Sequence, residues 1–260
     1  MANILQEQYC SVFSDPDSKN IVMDHKGLPQ GNEKCLADIE FSSEDIVDAI
    51  DELDSFAATA DEDIPASILK GCKEALSIPL TMLWKWSMTN GIVPPSLKEQ
   101  FITPVYKKGD KTDPENYRPI SLTSHVIKVF ERVVRKRMVV HLEANNLISD
   151  TQHGFRKGRS CLTQLLQHYD EILSNLVKGY ETDVLYLDYA KAFDKVDHNI
   201  LLYKLKFYGI DGQLYEWIKS FFTNRTQRVV IDGHHSVPKH VISGVPQGSV
   251  FGPILFIPLL

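Results

Sequence analysis

At 260 residues, with 43% hydrophobic and 10% aromatic residues, the chain has the composition of an intracellular globular protein able to bury one or two sizeable cores. Cys10, Cys35, Cys72 and Cys161 show no CxxC spacing and the nine histidines form no HExxH or Cys/His cluster, so disulfides and zinc are not expected. The formal net charge of −6 divides into −11 over residues 1–100 and +5 over 101–260, with +6 inside 101–160 alone, which places positive potential for a polyanion in one segment.

Residues 1–10 lack the apolar core of a signal peptide. The longest apolar tract, 250–260, is 11 residues and carries Pro253 and Pro258, too short to cross a bilayer. Secretion and membrane insertion are therefore not expected, and the nucleus or cytoplasm is the expected location.

In chain order, Ser42 has the form of a helix cap, with Asp45 three residues on and Phe41 placed to staple against Ile46. Ile46, Val47, Ile50 and Leu53 continue an apolar face. A second helix is expected to start near Pro65 and a third to run from Leu80 to Asn90, stopping at Gly91. Trp84, Trp86 and Met88 on it read as packing residues. A long helix is expected from Ser124 to Asn145 on the series Ile127, Phe130, Val133, Val134 and Met138, with Arg132, Arg135, Lys136 and Arg137 interleaved as a solvated face. Residues 160–178 repeat the pattern, and two more helices follow near 199–208 and 213–222. Residues 225–231 and 236–242 look like a hairpin turning at Asp232 and Gly233.

Two segments carry the chemistry. The apolar run from Val184 to Leu187 reads as a strand buried on both faces, delivering Asp188 at its end, with Phe193 able to flank the same space. The glycine-rich segment from Ser243 to Phe256 supplies one amide side chain, Gln247, and room for close backbone approach at Gly244, Gly248 and Gly252. Together they read as a nucleotide site. Taken alone, Asp188 is better explained as a helix or turn cap after a strand. Asp183, Asp194 and Asp197 read as local hydrogen-bonding, surface or capping groups.

At these residues the chain resembles the reverse transcriptases of non-LTR (LINE-type, jockey-like) retrotransposons. LDYAKAFD over 187–194 resembles their first palm motif and GVPQGS over 244–249 their second. DPENYRPISL over 113–122 and QHGFRKGRS over 152–160 resemble their finger motifs. The four stand in the family's order and span roughly residues 92–256. The resemblance implies an α/β (α+β) fold: fingers and an incomplete palm of the right-hand polymerase type over 92–260, preceded by an acidic, mostly helical leader over 1–91.

The resemblance also implies roles. Asp188 would be a catalytic carboxylate and, with the Tyr189 carbonyl, a ligand of Mg²⁺ or Mn²⁺ in a two-metal mechanism using dNTPs on an RNA template with a DNA primer. The Lys191 and Ala192 amides would face the triphosphate, and Phe193 would exclude a ribose 2′-hydroxyl. Gln247 would lie against the nascent base pair, and Gly248 would be part of the same nucleotide site. Lys107, with Lys108 its one-position alternative, and Arg118 would hold phosphates. Arg156, Lys157 and Arg159 would meet the template backbone, or form a solvated basic turn.

The family's paired-aspartate motif and thumb do not appear in this sequence, so the expectation is a truncated polymerase with negligible activity alone and an exposed apolar terminus. A noncatalytic RNA-binding module is the alternative. A Mg²⁺-dependent phosphoryl-transfer enzyme built on Asp183 and Asp188 ranks below both, for want of a Walker lysine loop.

Overall fold

The computed structural model describes residues 1–14, 35–60 and 63–257. Helix starts follow the capping chemistry. Ser42 and Asp45 form a reciprocal capping box at the head of α2 (Ser43–Asp51), the Ser42 Oγ accepting the Asp45 N–H and the Asp45 carboxylate accepting the Ser42 N–H. α1 (Ala2–Cys10) precedes it. α3 (Ala66–Gly71) follows Pro65, and α4 (Lys73–Asn90) ends at Gly91, whose φ of +63° lets the Gly91 and Ile92 N–H groups close back on Met88 and Ser87.

α4 begins seven residues earlier than the expected Leu80 and absorbs Pro79 in its interior. The ring costs one helical hydrogen bond there, but flanking packing holds the helix: Leu80, Trp84 and Met88 are buried in the core. Trp86, expected to pack, instead stands half exposed on the opposite face. α5 (His125–Ala144) starts at Ser124, and the Asp63 carboxylate accepts from both the Ser124 hydroxyl and the His125 N–H.

The main core joins α2, α3, α4 and α5 to α7 (His198–Phe207), α8 (Gly212–Phe222) and the 245–257 segment, so it draws on both sides of residue 91. Its centre is aromatic. Trp84 stacks on Phe130 with ring centroids 4.6 Å apart, and Trp217 meets Phe130 edge-on at 5.2 Å while donating its Nε1–H to the Ser87 hydroxyl.

A mixed sheet lies beside this core. β1 (Glu99–Tyr106) pairs antiparallel with β2 (Tyr117–Leu122) and parallel with β3 (Thr226–Ile231), and β3 pairs antiparallel with β4 (His234–His235) and β5 (Lys239–His240). The expected hairpin forms, turning through Asp232 and Gly233 at positive φ. Its return arm is broken: the register slips by one residue between β4 and β5, and the Ser236 hydroxyl, not a ladder carbonyl, takes the Val229 N–H. α1 packs on the sheet through Leu5 and Tyr9 against Ile102 and Val229.

Three expectations are corrected. Residues 184–187 are not a buried strand: 180–189 form no regular element, and Leu185, Tyr186 and Leu187 are each more than three-quarters exposed. A strand needs a pairing partner, and none of the described strands runs beside this segment. Likewise α6 (Cys161–Val177), capped by Ser160, forms where the apolar pattern predicts it but buries none of its residues. Finally, the apolar terminus is not exposed as far as it is described. Val245 enters the main core from the loop bonded to Phe193, and Phe251, Ile254, Leu255 and Ile257 enter it in and around a short helix, α9 (Gly252–Phe256). Pro258 and the residues after it lie outside the described residues.

The charge division is also redistributed in space. Arg137 and Lys136 on α5 reach Asp45 at 3.2 and 4.0 Å, and Arg132 reaches Glu52 at 3.4 Å. Acidic α2 thus neutralises part of the basic α5, which a tally along the chain cannot register.

Candidate functional site

The two chemistry-bearing segments meet. The turn at 191–195, in which the Asp194 and Lys195 N–H groups bond the Lys191 carbonyl, lies directly against the 243–249 loop. The Gly244 N–H donates to the Val196 carbonyl at 2.7 Å and the Val245 N–H to the Phe193 carbonyl at 2.9 Å. The Ser243 hydroxyl donates to the Asp194 carbonyl at 2.9 Å, and the His198 Nε2 sits 2.8 Å from the Gly244 carbonyl. Gly244 has φ +89°, and a Cβ there would lie 2.9 to 3.0 Å from Asp194 and Phe193 backbone atoms, so glycine is what allows the contact.

The far side of the loop is tied to the sheet. The Ser121 N–H on β2 donates to the Gln247 carbonyl at 2.8 Å, and Gly248, at φ +114°, leaves space that a Cβ would take 2.8 Å from the Ser121 carbonyl. Downstream, Glu131 on α5, fully buried, accepts the Val250 and Phe251 N–H groups at 2.6 and 3.0 Å. Burial pushes its carboxyl above the usual range, opposed by those two hydrogen bonds and by buried Arg225.

These ties frame a cleft of about 600 Å³. Arg118, Lys191, Ala192, Phe193, Gln247 and Gly248, six residues drawn from three separate motifs, all line it with Lys107 from just after β1, together with Asp194, Phe155 and Tyr9 of α1. Lys107 and Arg118 come from the two arms of the β1–β2 hairpin, held in register by the Lys107 N–H to the Asn116 carbonyl at 2.8 Å and by the Val105–Arg118 pair. Phe193 is fixed as a wall: it stacks on Phe256 at 4.7 Å and meets Phe155 edge-on at 6.2 Å.

Asp194, read from sequence as a local or surface group, is the residue that reading missed. Its Oδ1 accepts the Gln247 Nε2–H at 2.7 Å across 53 residues of chain. Burial raises its carboxyl above the usual range, while Gln247, Lys191 and Lys107 act in the opposite direction. The signal available was an unpaired amide on a glycine loop, which needs a partner once buried. Asp197 does act as a cap, taking the Asn199 and Ile200 N–H groups at the head of α7.

Other expected site residues stand apart from the cleft. Asp188 and Tyr189 lie on the exposed 180–189 segment and do not line it. Arg156 is occupied: its Nε and Nη2 hold the Glu143 carboxylate at 3.0 and 2.7 Å and its Nη1 donates to the Ser149 carbonyl. Arg159 pairs with Asp150 at 3.7 Å, and Lys157 is exposed. Lone Asp188 supplies one carboxylate, and among the described residues no three His, Cys, Asp or Glu side chains converge to hold a metal ion. Among them, too, no helix is long and apolar enough to cross a membrane.

The family described as reverse transcriptase (RNA-dependent DNA polymerase) matches residues 105–260. The RNA-directed DNA polymerase from mobile element jockey of Drosophila melanogaster is 34% identical over 178 residues, 68% of this chain and 19% of that protein. Its counterpart from Drosophila funebris is 28% identical over 98% of this chain and 28% of its own length. The probable RNA-directed DNA polymerase from transposon X-element of Drosophila melanogaster is 32% identical over 72% of this chain and 21% of its own. The chain thus spans about a quarter of the curated relatives it matches.

Proposed function

Because the chain belongs to the reverse transcriptase (RNA-dependent DNA polymerase) family, as a jockey-like domain of a non-LTR retrotransposon, we propose that its share of RNA-directed DNA synthesis is to bind the incoming deoxynucleotide in the Lys107 to Gln247 cleft, as the fingers and part of the palm. The observation that carries this reading is the convergence of six residues from three motifs, with Lys107 beside them, on one cavity. Lys107 and Arg118 offer a point charge and a forked guanidinium to the triphosphate. The Lys191 and Ala192 amides add donors, and Lys191 holds φ +54° in a turn tied to its own carbonyl.

Phe193 excludes a 2′-hydroxyl by bulk. Its stacking on Phe256 is what makes it an unyielding wall. Gln247, on a loop fixed to β2, bears on the base pair. Lys157 and the unpaired part of the basic surface meet the RNA template, with a DNA primer beside it. The family uses divalent metal ions, Mg²⁺ being the one we propose, with Asp188 and the Tyr189 carbonyl as this chain's donors. Since one carboxylate does not complete a site, no chemical step is assigned to the chain by itself, and we propose negligible polymerisation from it alone.

The test is a titration of the full chain with labelled dTTP and with UTP, for wild type, Lys107→Ala, Arg118→Ala and Phe193→Ala. The expected outcome is dTTP binding weakened about tenfold by either basic substitution, with Phe193→Ala admitting UTP. A second reading, a noncatalytic RNA-binding module, is favoured by the lone carboxylate. Salt-sensitive RNA binding with no nucleotide binding would select it.

A further inference from the structure

The Gln247 side chain is an amide, and an amide can present either its oxygen or its NH₂ to a ligand. What decides is the neighbour on its other side. Asp194 Oδ1 lies 2.7 Å from the amide nitrogen. An ionised carboxylate has only lone pairs to offer, so it can pair with the NH₂ and not with the carbonyl oxygen. The amide is thereby polarised in one sense: one N–H is spent on Asp194, and the oxygen turns away from it.

Asp194 is itself held from three directions. The Ser243 hydroxyl donates to its carbonyl, its own N–H bonds the Lys191 carbonyl, and Gly244 approaches so closely that a Cβ there would lie 3.0 Å from the Asp194 Cα. The carbonyl of Gln247 is fixed by Ser121 of β2. Both ends of the Asp194–Gln247 bond are thus anchored to framework, and both residues line the cleft. This suits a group that must be preorganised.

We propose that Asp194 is a positioning residue, fixing the Gln247 amide so that the cleft is offered its carbonyl oxygen as a hydrogen-bond acceptor, and that the bound nucleotide answers with a donor, an N–H or a hydroxyl. The proposal rests on the nucleotide reading of the cleft. It goes beyond it in naming which atom of Gln247 is presented and which residue makes the choice.

Two measurements test it on the full chain. In the first, the side-chain amide signals of Gln247, assigned by their loss in Gln247→Ala, are followed by ¹⁵N-resolved NMR. The expected result is one amide proton slow to exchange in wild type and both fast in Asp194→Ala; two fast protons in wild type would overturn the fixed orientation. In the second, dTTP binding is compared across Asp194→Ala, Gln247→Ala and the double variant. Each single change is expected to weaken binding about tenfold, and the double change also about tenfold, because Asp194 acts only through Gln247.

A double loss near a hundredfold would overturn the positioning role, since Asp194 would then be acting independently, through stability or by direct contact. Asp194→Asn can donate as well as accept, and is expected to retain the fold while losing part of the affinity. Its binding equal to that of wild type would count against the carboxylate's choice. No dTTP binding by wild type would overturn the nucleotide reading and the nucleotide part of this proposal together, while the NMR result decides the amide orientation by itself.

Discussion

Gly244→Ala probes the contact on which the cleft depends. Gly244 sits at φ +89°, a conformation that costs an alanine about 1 to 2 kcal/mol. Its Cβ would in addition come within 2.9 to 3.0 Å of three backbone atoms of Phe193 and Asp194, which have no rotamer to escape into. Relief requires the loop to move off the 191–195 turn. That stretches the Gly244 N–H to Val196 and Val245 N–H to Phe193 bonds, each worth about 1 kcal/mol. The expected loss is about 2 to 4 kcal/mol. Gly233→Ala is the internal control: φ is +74°, but nothing lies within 4 Å of its Cβ, so only the conformational term, about 1 kcal/mol, applies. Chemical denaturation of both variants with matched m-values reads the difference. Equal destabilisation of the two would refute the reasoning, because the loop would not then be pressed against the turn.

His198 is held below the usual histidine range chiefly by burial, with Arg225 acting in the same direction and the Gly244 carbonyl and Asp197 against it. A depressed value means stability is present above the ordinary histidine pKa and lost as pH falls through the folded one; His198→Gln should flatten that part of the pH–stability curve, and an unchanged slope would contradict the burial. Replacing Leu165 and Leu176 on the exposed face of α6 by lysine should leave denaturation midpoints within about 0.5 kcal/mol while reducing self-association in light scattering, and a large loss of stability would show that the face is packed. Asp45→Asn with Glu52→Gln should free Arg132 and Arg137, raising RNA affinity at about 50 mM salt and steepening its salt dependence by about one to two phosphate contacts; unchanged binding would place the RNA elsewhere.

Helix starts were legible because capping is local. Ser42 announces a helix by an oxygen that satisfies a nearby N–H, and apolar periodicity marked the helices that Ser124 and Ser160 prove to cap. The cleft's lining was legible through motif resemblance, which named seven of its residues without supplying their distances. What escaped was everything that depends on a partner distant in sequence. The Val184 to Leu187 run has strand composition, but composition does not say whether an adjacent strand exists. Asp194 looked local because its partner, Gln247, is 53 residues away. The 101–160 charge excess looked free because Asp45 of α2 and Glu52, which caps its C-terminal end, are counted in the other half. α1, left without a reading of its own, gains its role by covering Ile102 and Val229.

Photo-crosslinking a deoxynucleotide to the full chain, with the labelled peptides mapped by mass spectrometry, tests the central claim most directly. Labelling should fall on peptides containing residues 107–120, 191–194 and 247–253, compete with unlabelled dTTP, and drop in Arg118→Ala. Labelling confined to α6 or to the 35–60 region, or indifferent to competitor, would contradict the assignment of the cleft as the nucleotide site.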